Sequence, residues 1–167
     1  MATAIEIQGL TKRFKSPFGG TLNAVDNLDL NVQEGEIFGF LGPNGAGKTT
    51  TIKILLGLIS PTSGKAMVLG KPAGDNNTKK RISYLPESPY FYEYMSAREL
   101  LNFYADLFRI GREERKTRVD SLLERVGLAE AADKPLRHYS KGMLQRAGVA
   151  QALLNNPDLV FLDEPTS

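Results

Sequence analysis

Eight consecutive residues, Gly42 to Thr49, have the types and the spacing needed to hold a chain of phosphates. Their glycines allow successive backbone N–H groups to turn toward phosphate oxygens, because no Cβ atom stands in the way. A helix is predicted to begin at Lys48, which would point the positive end of its dipole at the same oxygens. The Lys48 side chain could then reach the terminal phosphates, and the Thr49 hydroxyl could bind Mg²⁺. The residues predicted to bind a nucleoside triphosphate here are Gly42, Pro43, Asn44, Gly45, Ala46, Gly47, Lys48, Thr49 and Thr50.

A pair of carboxylates directly follows the apolar run from Leu159 to Leu162. A buried strand of a parallel sheet that ends in an acid places this acid at the crevice where phosphates bind. Asp163 is therefore predicted to hold Mg²⁺, directly or through water. Glu164 is predicted to act as the general base that polarises the attacking water.

Ser140 and Gly142 form a third candidate site, at the start of another predicted helix. Serine is a natural N-cap, and a glycine leaves the backbone open in the first turn. Such a helix start is a second place where an anion could bind. On local grounds alone, ordinary helix capping is the favoured explanation.

The hydrophobic pattern predicts the elements that would position these residues. Residues 5–10 and 28–32 alternate as half-buried strands do, and the continuous apolar run from Ile37 to Leu41 predicts a strand covered on both faces. A helix is predicted from Lys48 to about Leu58. Further strands are predicted at 65–69, 82–85 and 159–162, and further helices at 96–108, around 119–126 and at 141–154. The helix after Ser96 carries a capping box with Glu99 and one face formed by Leu100, Tyr104, Leu107 and Phe108.

Length, charge and cysteine content limit the possible classes of protein. The sequence has 167 residues, a net charge of +2 and no cysteine. This length suits one domain, and the small charge gives no basis for a nucleic-acid partner. Without cysteine, neither a disulfide framework nor a thiolate metal site can form. No apolar run approaches the length of a membrane span.

Three motifs, in this order, resemble the nucleotide-binding domain of ABC ATPases: Pro43 to Thr49, the Ser-x-Gly-x-x-Gln-Arg run from Ser140, and Asp163 to Ser167. The likeness covers essentially the whole chain. It implies an α/β fold, in which a P-loop NTPase core has a mixed N-terminal β-subdomain and an inserted α-helical subdomain. The core would comprise residues 1–87 and 155–167, and the helical subdomain residues 88–154. The chain would be a C-terminally incomplete domain that ends just after the acidic motif.

The same resemblance implies ATP and Mg²⁺ as cofactors and a head-to-tail dimer as the active unit. Ser140 and Gly142 of one subunit would bind the γ-phosphate that the P-loop of a second, identical subunit holds. Glu87 occupies the position of a family glutamine, and it would bind Mg²⁺ or the attacking water. Phe14 falls where the family places an aromatic ring on adenine, although a purely packing role has nearly equal weight.

The Ser-Lys-Gly-Met variant, together with Leu-Pro-Glu, resembles bacterial exporter ATPases that pair with a separately encoded transmembrane permease subunit. This implies a cytoplasmic location, peripheral on the inner face of the membrane. The aromatic run from Tyr90 to Tyr94 is predicted to receive a cytoplasmic helix of the permease, with packing inside the insertion as an even alternative. His138 is expected to be structural or exposed.

Other classes fit the sequence less well. A soluble ABC ATPase that acts on ribosomes or DNA is the main alternative to a transporter subunit. A P-loop GTPase would need an N-K-x-D motif, which this sequence does not contain. A module that binds nucleotide without hydrolysis is disfavoured by Glu164. The 167 residues alone are expected to turn over ATP poorly, since the family's switch histidine lies beyond Ser167.

Overall fold

The computed structural model describes residues 2–16 and 19–164. The chain forms two compact units, Met1–Lys80 and Arg81–Ser167, which are described in turn. The last three residues of the predicted acidic motif, Pro165 to Ser167, lie outside the described residues. Within the described ranges, no helix has both the length and the hydrophobicity that a membrane crossing requires. The division of the chain into a core and a helical subdomain, as given above, stays a prediction.

The first unit is built on a four-stranded antiparallel sheet. The strands are β1 (Thr3–Lys15), β2 (Thr21–Gln33), β3 (Ser63–Val68) and β4 (Lys71–Pro72), in the spatial order β2-β1-β3-β4. The alternating pattern of β1 has the expected effect, because Ile5 and Ile7 are buried opposite Val32 and Leu30 of β2. Two helices complete this unit: α1 (Lys48–Leu55) and α2 (Asn76–Lys79).

The predicted strand from Ile37 to Leu41 is wrong for this structure. Residues 36–43 have no regular secondary structure, and Ile37 and Leu41 are almost fully exposed. An apolar run becomes a strand only where neighbouring strands satisfy its backbone N–H and C=O groups. None of the described strands hydrogen-bonds to this run. The apolar composition of the run is typical of a buried strand, but a local sequence pattern does not show whether neighbouring strands are present.

The second unit contains three main helices around an apolar core. They are α3 (Ala97–Leu107), α4 (Arg112–Arg125) and α5 (Lys141–Leu153), with two short 3₁₀ turns at Ala129–Ala131 and Leu136–His138. The predicted capping box is confirmed: Ser96 Oγ accepts from Glu99 N–H at 3.2 Å, and Glu99 Oε2 accepts from Ser96 N–H at 2.8 Å. The core is formed mainly by Leu100, Leu101, Ala105, Val119, Leu122, Leu123, Leu128, Leu136 and Leu154.

The predicted apolar face of α3 is only partly correct. Leu100 is buried and Tyr104 is half-buried, but Leu107 and Phe108 are exposed. The buried face instead includes Leu101 and Ala105. The prediction was based on the positions of the large apolar side chains. In the structure the smaller Ala105 lies in the core that α3 forms with α4 and α5.

Two short parallel strands, β5 (Ile82–Leu85) and β6 (Leu159–Leu162), complete the second unit. They pair in register from Ile82 opposite Leu159 to Leu85 opposite Leu162. Their bounds agree with the sequence prediction. The expected complete burial of β6 is wrong, since Leu162 is exposed and Phe161 alone is buried in this strand. Among the described residues, β6 has a single partner strand, so its other edge is not covered by a strand.

Candidate nucleotide-binding site

The loop before α1 has the backbone shape that a phosphate cradle requires. Gly45 and Gly47 both adopt positive φ, at 84° and 89°. In this conformation a side chain is strained, so glycine is needed at both positions. At Gly47 a Cβ atom would also stand 2.2 Å from the Ala24 carbonyl oxygen. Gly47 therefore packs tightly against β2, whereas a Cβ atom at Gly45 would meet nothing within 4 Å.

The Lys48 side chain folds back over this loop. Its Nζ donates to the carbonyl oxygens of Gly42 at 2.6 Å and Pro43 at 3.2 Å. The ammonium group is thus held by carbonyl groups of the loop that is predicted to bind phosphate. Thr49 follows in the first turn of α1 and is half-buried.

The two helices predicted to face phosphate share an electrostatic property. Among the four helices of eight or more residues, neither α1 nor α5 carries an acidic residue in its first turn, whereas α3 has Glu99 there and α4 has Glu113 and Glu114. An acidic side chain at a helix start offsets the positive end of the dipole. The starts of α1 and α5 are therefore better suited to attract an anion from outside the chain.

The acidic residues of the second unit follow the carboxyl ends of β5 and β6. Because these strands are parallel, Glu87 beyond β5 and the pair Asp163 and Glu164 beyond β6 emerge at the same edge of the sheet. The Asp163 residue is 5% exposed, and its N–H donates to the Leu85 carbonyl at 2.9 Å. Glu87 is exposed and Glu164 is half-buried with a φ of 48°, in the left-handed region. Three acidic residues thus follow the carboxyl ends of these strands, and no group of three or more His, Cys, Asp or Glu side chains among the described residues is close enough together to hold a metal ion.

A residue that the sequence analysis missed, Tyr84, contacts Asp163. The Tyr84 hydroxyl lies 3.4 Å from Oδ2 of Asp163. Burial raises the pKa of Tyr84, and the charges of Asp163 and Glu87 raise it further, so the hydroxyl keeps its proton and acts as a donor. The sequence does not predict this contact, because it does not reveal the register in which β5 and β6 pair.

The third candidate site is at the start of α5. Ser140 is the N-cap of this helix, and its Oγ accepts from Met143 N–H at 3.3 Å. Ser140, Lys141 and Gly142 are all exposed. Just before them, Tyr139 is buried and its hydroxyl donates to the Ala131 carbonyl at 2.7 Å. The helix start is thus fixed by an internal anchor while its first turn faces outward.

Gly142 has no packing reason to be glycine. A Cβ atom at this position would meet nothing within 4 Å, whereas at Gly148, on the same helix, it would meet Leu85 Cδ1 at 2.6 Å. Glycine inside a helix is less favourable than alanine by about 1 kcal/mol. Intrachain packing therefore explains Gly148 and leaves Gly142 unexplained.

The remaining predicted residues lie on the surface. Phe14 of β1 is 41% exposed, and Lys12 Nζ lies 5.0 Å from its ring centroid. His138 is exposed, as expected, and its Nε2 accepts from Arg137 Nε at 3.2 Å. The P-loop and Phe14 belong to the first unit. The acidic residues that follow β5 and β6 belong to the second unit, as does Ser140.

The aromatic run after β5 is mostly exposed. Tyr90, Tyr92 and Tyr94 are exposed, whereas Phe91 is buried. Tyr92 contacts Tyr94 at 5.8 Å between ring centroids and Phe103 of α3 at 6.2 Å, the latter edge to face. These exposed rings, Tyr90, Tyr92, Tyr94 and Phe103, are called the aromatic surface below.

Comparison with known proteins identifies the family. Residues 25–167 match the family described as ABC transporter. The chain belongs to the ABC transporter family. The predicted resemblance is thereby confirmed, and the motifs that carried it lie inside the matched region. This ABC transporter domain is 49% identical, over 99% of its length, to an uncharacterised ABC transporter ATP-binding protein of Synechocystis, and it covers 48% of that protein.

Two further matches are a relative named for peptide export and a solved structure. The chain is 38% identical, over 97% of its length, to the SkfA peptide export ATP-binding protein of Bacillus subtilis, and covers 66% of it. A solved ATP-binding cassette, described as a dimer in a post-hydrolysis state bound to ADP and Pi, superposes with a TM-score of 0.85 at 26% identity. It covers 97% of this chain, and this chain covers 74% of it. The fold is therefore the P-loop NTPase fold of ABC ATPases, as predicted.

Proposed function

We propose that this chain binds and hydrolyses ATP as the motor part of an ABC exporter. In this proposal two copies associate head to tail, ATP binding closes the dimer and hydrolysis reopens it. The exposed, unexplained Gly142 beside the N-cap Ser140 is the observation that carries it. The dimeric cassette among the solved relatives and the export function of the Bacillus relative support it.

In the first unit the P-loop holds the triphosphate. Backbone N–H groups of the glycine loop and the first turn of α1 donate to phosphate oxygens. Lys48 Nζ, now on the Gly42 and Pro43 carbonyls, moves a short distance to the β- and γ-phosphates. Phe14 offers an exposed ring on which adenine can stack, and Thr50 lies in the first turn of α1, beside the loop that holds the phosphates.

In the second unit the acidic residues follow the carboxyl ends of β5 and β6. The carboxylate of Asp163 is an oxygen donor of the type that Mg²⁺ prefers, so this residue fits the ion. In the first unit, the hydroxyl of Thr49 is an oxygen donor as well. When bound, Mg²⁺ would neutralise charge on the β- and γ-phosphates. Glu164 accepts a proton from the water that attacks the γ-phosphate, and Glu87 positions this water or adds a ligand to the ion.

The start of α5 serves the second copy. Ser140 Oγ and the N–H of Gly142 donate to the γ-phosphate that the partner's P-loop holds, and Lys141 adds positive charge nearby. A glycine at 142 permits the partner's loop and phosphates to approach the helix backbone closely. This need explains a residue that intrachain packing does not.

The partner in the membrane is a separately encoded permease. The aromatic surface provides exposed rings with polar tips, a composition enriched at protein interfaces. We infer that a cytoplasmic helix of the permease packs on it and holds the ATPase at the inner face of the membrane. The chain's net charge of +2 gives no electrostatic reason for a nucleic-acid partner.

A matched pair of glycine variants tests this proposal. Gly142→Ala should keep or slightly raise the stability of the protein, since alanine favours the helix and meets no neighbour. It should nevertheless weaken ATP-dependent dimerisation, measured by analytical ultracentrifugation, while ATP binding to the monomer is unchanged. Gly148→Ala is the control, because it should lower stability through its contact with Leu85. Undiminished dimerisation of Gly142→Ala would refute the proposed role of α5.

A further inference from the structure

The side chain of Asp163 is held from the neighbouring strand. Tyr84 in β5 pairs with Phe161 in β6, two residues before Asp163. The Asp163 N–H donates to the Leu85 carbonyl at 2.9 Å, which fixes its main chain against the same strand. The Tyr84 hydroxyl lies 3.4 Å from Oδ2 of the carboxylate, which is longer than the roughly 2.5–3.0 Å of an ordinary O–H···O hydrogen bond. Backbone and side chain of Asp163 are both contacted by β5.

We propose that Tyr84 is a positioning residue for Asp163, whose carboxylate it orients toward Mg²⁺. This rests on the proposed function, in which Asp163 is the acid that holds the ion. Tyr84 itself touches neither the nucleotide nor the ion. Its hydroxyl acts on Oδ2 of the carboxylate.

The chemistry of a buried carboxylate explains why such a donor is useful. Rotation of a carboxylate about its last bond has only weak preferences, so its orientation must be set by partners. Asp163 is 5% exposed, and a buried carboxylate needs donors to compensate for lost water. In metal sites, groups that hydrogen-bond to a ligand carboxylate fix its direction, and their loss lowers metal affinity about 10- to 100-fold.

A purely structural role does not account for the hydroxyl of Tyr84. The ring is half-buried beside β6, and a phenylalanine at this position would carry the same ring without the hydroxyl. Only the oxygen distinguishes the two residues, and this oxygen lies near the carboxylate of Asp163. Glu87 lies two residues beyond the end of the strand that carries Tyr84.

The test is a magnesium titration that does not require turnover. Binding of a fluorescent ATP analogue to the native protein is measured as Mg²⁺ is increased, for wild type, Tyr84→Phe, Asp163→Asn and the double variant. Tyr84→Phe should raise the Mg²⁺ concentration at half-saturation by about fivefold to tenfold, which is at or below the smallest effect expected for a shorter contact, because this contact is long. Binding without Mg²⁺ should be unchanged, and the thermal midpoint should fall by no more than it does for Tyr139→Phe. In the Asp163→Asn background, Tyr84→Phe should have no further effect.

Tyr139→Phe is the matched control, since its hydroxyl donates to the Ala131 backbone carbonyl instead of a carboxylate. It should change the thermal midpoint but leave the Mg²⁺ dependence unaltered. If Asp163→Asn weakens Mg²⁺ dependence while Tyr84→Phe does not, the role of Tyr84 is refuted and the proposed function stands. If Tyr84→Phe acts equally strongly without the aspartate, the role is refuted too. If Asp163→Asn has no effect, the proposed magnesium site fails, and the role of Tyr84 with it.

Discussion

The two positive-φ glycines of the P-loop should respond very differently to alanine. Gly45 and Gly47 have φ values of 84° and 89°, so alanine at either position pays the left-handed penalty of about 1–2 kcal/mol. At Gly45 nothing lies within 4 Å of the new Cβ, and the penalty ends there. At Gly47 the Cβ would stand 2.2 Å from the Ala24 carbonyl oxygen and 3.3 Å from Val25 Cγ2. Relief requires the loop or β2 to move, which adds about 1–3 kcal/mol.

Urea denaturation followed by far-ultraviolet circular dichroism measures this difference, because the sequence has no tryptophan. We expect Gly45→Ala to lower the free energy of unfolding by about 1–2 kcal/mol and Gly47→Ala by about 2–5 kcal/mol. Gly47→Ala should also weaken binding of a fluorescent ATP analogue more strongly, since its loop must move. Equal unfolding midpoints for the two variants would show that the loop does not pack against β2 as described.

Three further predictions follow from individual contacts. Ser96→Ala removes the capping box of α3 and should lower the free energy of unfolding by about 1 kcal/mol; an unchanged urea midpoint would contradict this. The pKa of Asp75 is lowered, chiefly by the N–H of Thr78, so its contribution to stability is present above its ordinary value of 3.8 and lost as the pH falls through the lower folded value. Asp75→Asn, which keeps the N-cap without the charge, should therefore lose less stability than wild type between pH 6 and pH 3 in urea titrations. Tyr90→Ala with Tyr92→Ala should leave stability nearly unchanged and weaken assembly with the permease on gel filtration; intact assembly would exclude the aromatic surface as the interface.

Local signals allowed much of the fold to be predicted from the sequence. The strands Ile82–Leu85 and Leu159–Leu162 and the capping box at Ser96 follow from short apolar runs and from one pair of polar residues. The start of α1 at Lys48 follows from the glycine loop before it. In each case the residues that decide the structure are close together in the chain.

Features that depend on distant residues were not predictable in the same way. The run from Ile37 to Leu41 has the composition of a buried strand, yet no described strand pairs with it. The smaller Ala105, not Phe108, faces the core from α3, because the positions of α4 and α5 decide which side of the helix is covered. The contact between Tyr84 and Asp163 depends on the register of two strands separated by three helices.

The residues of the candidate site were predicted from their types and spacing. The structure adds their burial and their neighbours. It places Glu87 at the same sheet edge as Asp163 and exposes the first turn of α5. It also separates Gly142, which has no neighbour, from Gly148, which has one at 2.6 Å. That distinction could not be read from the sequence, since both glycines lie on the same helix.

A structure of the native protein with Mg²⁺ and a non-hydrolysable ATP analogue tests the central claim most directly. Our account predicts two copies arranged head to tail, with Ser140 Oγ and Gly142 N–H of one copy about 2.7–3.2 Å from the γ-phosphate held by Lys48 of the other. If nucleotide were bound at the P-loop while Ser140 and Gly142 faced solvent, with no phosphate near them, the proposed ATP-driven dimer would be contradicted.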